Sequence, residues 1–270
     1  MSQFLRIPIF QVDAFTSEVF RGNPAAVCPL EAWLDEGKML AIAAENNLSE
    51  TAFLVPNSGG YELRWFAPRY EVQLCGHATL ASAFVVFRTL DPEARSVRFD
   101  TCSGPLVVSR DGEWLSMDFP ALPVSVSPKP PDPLLAGLDP RPPVVLESTK
   151  NAAEGNYFCV YESEGELRSV HVDLALLEQL HPAGVCVTAP GREADFVSRY
   201  FAPSYGIPED PVTGSTHCSL ALYWSARLHK TSLHARQLSA RGGEMFCGPK
   251  GGRVILKGKA VLYLEGTIVV

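Results

Sequence analysis

The hydrophobic positions of this chain change period along its length, and the changes mark out elements. From Ile7 to Thr16 β-branched and aromatic residues read as a strand, and Arg21-Gly22-Asn23-Pro24 is a turn before the apolar Ala25-Ala26-Val27-Cys28, so a hairpin is expected. From Leu30 to Asn46 the apolar Trp33, Leu34, Met39, Leu40 and Ile42 recur among charged residues with helical spacing, which predicts an amphipathic helix stopped at Asn46-Asn47. Strand character returns at Thr51 to Val55 and Tyr61 to Phe66, across Pro56-Asn57-Ser58-Gly59-Gly60. Ala78 to Phe87 then carries no charge at all, and a helix apolar on every side is one buried on every side. Cys218 to Ala226 is a second uncharged run of the same kind. Further strands are predicted at Val97 to Phe99, Leu106 to Val108, Leu115 to Phe119, Tyr157 to Tyr161, Val170 to Val172, Gly184 to Thr188, Arg253 to Leu256 and Val261 to Leu264.

The two uncharged runs follow two similar phrases. The first is WFAPRYEVQLCGHATLASAF, Trp65 to Phe84, and the second is YFAPSYGIPEDPVTGSTHCSLALYW, Tyr200 to Trp224. Both read aromatic-Phe-Ala-Pro-x-Tyr, then reach a glycine at a helix start, with three extra residues in the second copy. The expected fold is therefore α+β, with two pseudo-symmetric domains, each a curled and mainly antiparallel sheet or barrel around a central buried helix. Two such domains packed together would leave a cleft on a pseudo-twofold axis. Between the blocks, Phe119 to Pro143 holds nine of the 22 prolines, so it can be neither a long helix nor a central strand and is read as the interdomain passage. The domains are placed at residues 1–122 and 123–270, with the C-terminal strand free to pack back on the first.

Composition narrows the function. A chain of 270 residues that is 46% hydrophobic can bury two cores. Its formal charge of -7, with lysines and arginines scattered, offers no basic stripe for nucleic acid. The first twenty residues contain Arg6, Asp13 and Glu18, and no apolar stretch reaches membrane-spanning length, so no membrane partner is expected and a cytoplasmic location is. Seven dispersed cysteines without a CxxC argue against a disulfide framework or a structural zinc site; most are expected to be small buried hydrophobes. The chain has no GxSxG, GxGxxG or GxxxxGK[ST] motif and no zinc-deaminase signature, and Gly242-Gly243 and Gly251-Gly252 read as turns.

If Gly76 and Gly214 each open a buried helix, their free N–H groups and the helix dipole suit a carboxylate, with His77 and Ser215 at matched positions beside it. Taken alone, His77 reads as a surface or helix-capping histidine; Gly76 and the matched second helix give it the functional reading. Asp210, before Pro211, is either a turn former or a hydrogen-bond and proton-transfer partner, and of Glu209 and Asp210 only one should point into a site. Glu50 alternates with Ala52 and Leu54, so it is either an exposed strand start or a carboxyl drawn to an apolar face. A carboxyl group drawn out of water can both accept and donate a proton near neutrality.

Taken together, NPAAV, NNLSETAF, APRYEVQLCGHATLASA and EDPVTGSTH resemble the PhzF, or phenazine biosynthesis-like, family, within the diaminopimelate-epimerase-like fold. The matching segments run from about Asp13 to Trp224. The resemblance implies a cofactor-free isomerase, without a metal, that acts on a small, anionic, carboxylated substrate, cyclic in the dihydro-3-hydroxyanthranilate type. Glu50 would move a proton between carbons as base and then acid. His77 and Asp210 would orient the substrate and relay protons, while Ser49, Gly76, Gly214 and Ser215 would bind it. Epimerases and racemases of this fold use two facing thiols; Cys75 resembles the first, but Thr213-Gly214 stands where the second would be, so Cys75 is expected to be a packed relic. An amino-acid or hydroxy-acid epimerase, and a non-catalytic binding module, remain as alternatives. A homodimer is also implied. The stretch Val144 to Tyr157 is a candidate for shaping the substrate pocket.

Overall fold

The computed structural model describes residues 4–148 and 155–270, so part of the candidate pocket-shaping stretch, 149–154, lies outside the described residues. The chain divides into two compact units, one comprising residues 1–118 with 257–270 and the other residues 119–256.

In the first unit the strand Arg6–Ala14 pairs antiparallel with Asn23–Pro29, as the hairpin pattern predicts, and on its other side with the C-terminal strand Ala260–Val269. Asn23–Pro29 runs parallel to Glu50–Asn57, and the helix Glu36–Asn46 makes the crossover between them. Glu50–Asn57 turns tightly into Gly60–Phe66, which pairs antiparallel with the short Glu71–Val72 and parallel with Ser96–Thr101. The buried helix Gly76–Val85 lies between those last two strands in sequence. Ser96–Thr101 and Gly104–Asp111 then form a hairpin.

The second unit repeats this wiring. Val144–Ser148 pairs antiparallel with Tyr157–Val160, which runs parallel to Val185–Pro190, which pairs antiparallel with Phe196–Ala202. Phe196–Ala202 takes the short Ile207–Asp210 antiparallel and Leu233–Gln237 parallel, with the helix Gly214–Leu228 between these two in sequence. Leu233–Gln237 then forms a hairpin with Gly243–Lys250. Strand for strand the order and sense of pairing match the first unit. The pseudo-symmetry read from two phrases thus extends through whole sheets, which are mainly antiparallel with parallel pairs at each helical crossover.

Several elements depart from expectation. The amphipathic helix begins at Glu36 and not near Leu30, because Asp35 caps it, its carboxylate accepting from the Gly37 N–H at 2.9 Å. Trp33 and Leu34 still pack on the core that holds Met39, Ile42 and Ala43, so their apolar character served packing and not periodicity. The stop at Asn47 is as expected, in the left-handed conformation with φ 50°. The first uncharged helix is buried from Gly76 to Ala83, and its inner hydroxyls bond back one turn, Thr79 to the Cys75 carbonyl and Ser82 to the Ala78 carbonyl. It ends in a wider turn, Val86–Leu90. The second uncharged helix is buried from Thr216 to Ala221 and again at Trp224, while Ser215, Ala226 and Arg227 face solvent. Strands also form at Phe196–Ala202, Ile207–Asp210, Leu233–Gln237 and Gly243–Lys250, outside the expected set although Leu233 to Arg236 alternates apolar and polar, and the segment at Val170 to Val172 shrinks to His171–Val172. The proline-rich stretch contributes a three-residue strand, Val124–Val126, and a five-residue helix, Asp132–Ala136, to the second unit.

Candidate active site

Within the first unit, three residues from two elements converge. Glu50 is the first residue of its strand and is only 8% exposed, in a strand buried on both faces as far as Val55. His77, in the first turn of the buried helix and 6% exposed, places Nε2 at 3.0 Å from Glu50 Oε2. Cys75, the residue before that helix, is buried and sets Sγ at 3.6 Å from His77 Nδ1. The imidazole therefore sits between a carboxylate and a thiol. Burial alone would push the His77 imidazolium down, but the neighbouring Cys75 and Glu50 groups outweigh it and hold the ring well above its ordinary value. Burial pushes the Cys75 thiol up, and the Glu50 carboxylate pushes it further. A thiol so placed makes a poor base, which fits the reading of Cys75 as packed rather than reactive.

Ser49 is half-buried, and its hydroxyl donates to Asn23 Oδ1 at 3.2 Å. Asn23 itself is fully buried at the start of its strand. Sequence reasoning treated Asn23 as a turn residue and missed this contact; the Asn-Pro pair hid it, since that pair is also a common turn signal.

The remaining candidates belong to the second unit. Asp210 is 8% exposed at the end of the strand Ile207–Asp210, and its Oδ2 accepts from the Thr213 hydroxyl. Gln237 fixes that loop, donating from Nε2 to the Asp210 carbonyl at 2.8 Å and accepting from the Thr213 N–H at 2.9 Å. No motif marked Gln237, and Thr213, though inside EDPVTGSTH, was given no role of its own. Glu209, one residue earlier, instead pairs with Arg199 at 2.8 Å, so the two neighbouring carboxylates do take different environments. Gly214 is buried at its helix start, while Ser215 is exposed. Neither long buried helix has a side-chain cap at its N-terminus, whereas the helices after Asp35, Ser163 and Asp173 all do. Their first N–H groups are accordingly left without that kind of partner.

A family model described as "Phenazine biosynthesis-like protein" matches residues 12–266. The chain belongs to this PhzC-PhzF family. A relative from Pseudomonas aeruginosa named "Uncharacterized isomerase" is 50% identical over 98% of this chain and 99% of its own. A crystal structure of a PhzF family protein from Enterococcus faecalis superposes with a TM-score of 0.90 at 42% identity, covering 98% of this chain and all of that one. Relatives at this level carry the name isomerase, and this PhzF-family chain is an isomerase. A hydroxyproline epimerase from Agrobacterium vitis shares the fold at TM-score 0.64 and 10% identity, covering 98% of this chain and 93% of that one. No helix among the described residues is long and apolar enough to cross a membrane.

Proposed function

We propose that this PhzF-family isomerase moves a proton between two carbons of a small carboxylated substrate, with Glu50 as base and then acid. The carrying observation is the buried contact between Glu50 and His77 at 3.0 Å. A single carboxyl group serves both halves of such a reaction, because accepting the proton makes it the acid. His77, held charged by its neighbours, orients the carboxylate. The uncapped start of its helix at Gly76 offers N–H groups and a positive dipole end to a substrate carboxylate, and Ser49, next to Glu50 in the chain, supplies a hydroxyl. The family resemblance gives Asp210, Gly214 and Ser215 comparable substrate-binding roles, and it implies a dihydro-3-hydroxyanthranilate type of substrate and a homodimer. Sedimentation velocity at micromolar concentration tests the dimer, which a monomer peak alone would rule out.

The decisive experiment is proton NMR in heavy water with dihydro-3-hydroxyanthranilate, comparing wild type with Glu50→Gln. Wild type is expected to convert the substrate with deuterium at the reprotonated carbon, and Glu50→Gln to lose about 10²- to 10⁴-fold in turnover. Wild-type turnover in Glu50→Gln would overturn the shuttle. No conversion by the wild type would remove this substrate, and a screen of amino and hydroxy acids for solvent deuterium exchange would then test the epimerase alternative.

A further inference from the structure

Thr213 is the residue before the helix Gly214–Leu228, where a threonine hydroxyl ordinarily accepts from the second or third N–H of its own helix. Here it makes no such bond. Its hydroxyl donates to Asp210 Oδ2 and accepts from Gln237 Nε2 at 3.1 Å. Gln237 reaches this point from the end of the strand Leu233–Gln237 and is only 2% exposed. Its amide has one orientation open to it, because the Thr213 N–H can only donate and the Asp210 carbonyl can only accept. Oε1 therefore faces the N–H, and the two Nε2 hydrogens go to the carbonyl and to the Thr213 hydroxyl. That last bond decides the rest: a hydroxyl oxygen receiving a hydrogen from Gln237 sends its own hydrogen to Asp210. The Thr213 carbonyl is taken as well, by the Thr216 hydroxyl at 2.9 Å and His217 Nδ1 at 2.8 Å. Every polar group of Thr213 is committed, and its side chain is turned away from the helix it precedes.

We infer that Gln237 is a positioning residue for substrate binding, which holds the Thr213 hydroxyl on Asp210 and off the helix start at Gly214. The inference rests on the isomerase reading above, in which Asp210 and Gly214 meet the substrate. One side chain then prepares two substrate contacts. The Asp210 carboxylate is fixed in direction before the substrate arrives, and the threonine does not satisfy N–H groups that a substrate carboxylate would take. Gln237 acts through Thr213 and the loop, while the proton-moving Glu50 belongs to the other unit, so its effect falls on affinity and not on the chemical step.

The test compares Gln237→Met, Thr213→Val, Thr213→Ser and the double variant of Gln237→Met with Thr213→Val in the heavy-water NMR assay. In ligand-free protein, three-bond couplings to the Thr213 methyl carbon read its side-chain rotamer. Gln237→Met keeps the length and removes the donor and acceptor, and Ser239, whose hydroxyl holds the Pro211 carbonyl at 2.8 Å, still anchors the loop. Thr213 is expected to leave its rotamer in Gln237→Met. KM should rise about tenfold in Gln237→Met and in Thr213→Val, with kcat within about threefold of wild type. The double variant should be no worse than Gln237→Met, since both changes break one chain of bonds. Thr213→Ser, which returns the hydroxyl, should recover most of the affinity lost in Thr213→Val. An unmoved rotamer, an unchanged KM in Gln237→Met, or losses that add in the double variant would each overturn the inference. If circular dichroism finds Gln237→Met unfolded, the Thr213 pair decides, and equal KM values in Val and Ser would overturn it. Wild type without turnover would sink the isomerase reading, and the rotamer alone would then decide whether Gln237 sets the hydroxyl.

Discussion

Two buried histidines sit in the first turns of the two long buried helices, one per unit, and they have opposite electrostatics. His77 contacts a carboxylate and a thiol and is held well above its ordinary value. His217, fully buried, places Nδ1 at 2.8 Å from the Thr213 carbonyl and lies tilted against Phe196 with ring centroids 5.8 Å apart, and burial lowers it to about 4 despite that carbonyl. Burial is common to both. The difference is an anion, so a neutral histidine that braces a helix start is separated from a charged one that can take part in chemistry by what faces the ring, not by its depth.

Removing that anion should produce the largest change. In Glu50→Gln the His77 imidazole should titrate at lower pH, moving towards the behaviour of His217, as read by the pH dependence of its ring protons in NMR. An unchanged titration would mean that Cys75, and not Glu50, sets the ring's charge, and Cys75→Ala would then show the shift instead. A smaller effect is expected on the other side of the comparison. Because the folded value of His217 lies below its unfolded value near 6.5, the unfolded chain takes up the proton first as pH falls. Its contribution is full above about pH 6.5 and is lost as pH falls to about 4, worth at most about 3 kcal/mol. His217→Phe should flatten the fall in denaturation free energy over that window, the Thr213 carbonyl keeping the Thr216 hydroxyl as donor. An equal slope in the variant would place the acid sensitivity elsewhere. His77 has the reverse sign, adding stability that is complete below about pH 6.5 and lost as pH rises through its higher folded value.

What the sequence made legible follows the range of the interactions concerned. The paired phrases gave both helix starts, since a run of uncharged small residues after a glycine is a local signal, whereas the alternation with Ala52 and Leu54 left Glu50 open between an exposed strand start and a buried carboxyl. The contact from Glu50 to His77 spans two elements, and no periodicity reports on it. Gln237, which ties down the Asp210–Thr213 loop, reaches it from a strand that follows the helix, and nothing around it resembles a motif. His217 was passed over because it lies within an apolar run, where its one polar contact is to backbone. Positions that act through distant partners were thus found only where a family resemblance supplied them.

The smallest effect returns to how helices begin. The surface helix Glu36–Asn46 has the capping that both buried helices lack, and its sequence did contain the signal: Asp35, then an acidic first turn at Glu36. Reading Trp33 and Leu34 as part of the helical stripe obscured it. Asp35→Ala removes the acceptor of the Gly37 N–H on an exposed surface, so it should cost about 1 kcal/mol in denaturation free energy. Turnover and the His77 titration should stay unchanged, since the helix still packs through Met39, Ile42 and Ala43. A shift in His77 on this substitution would mean that the crossover helix and the Glu50 strand move together, and the contrast between a capped scaffold helix and the open helix start at Gly76 would then lose its meaning.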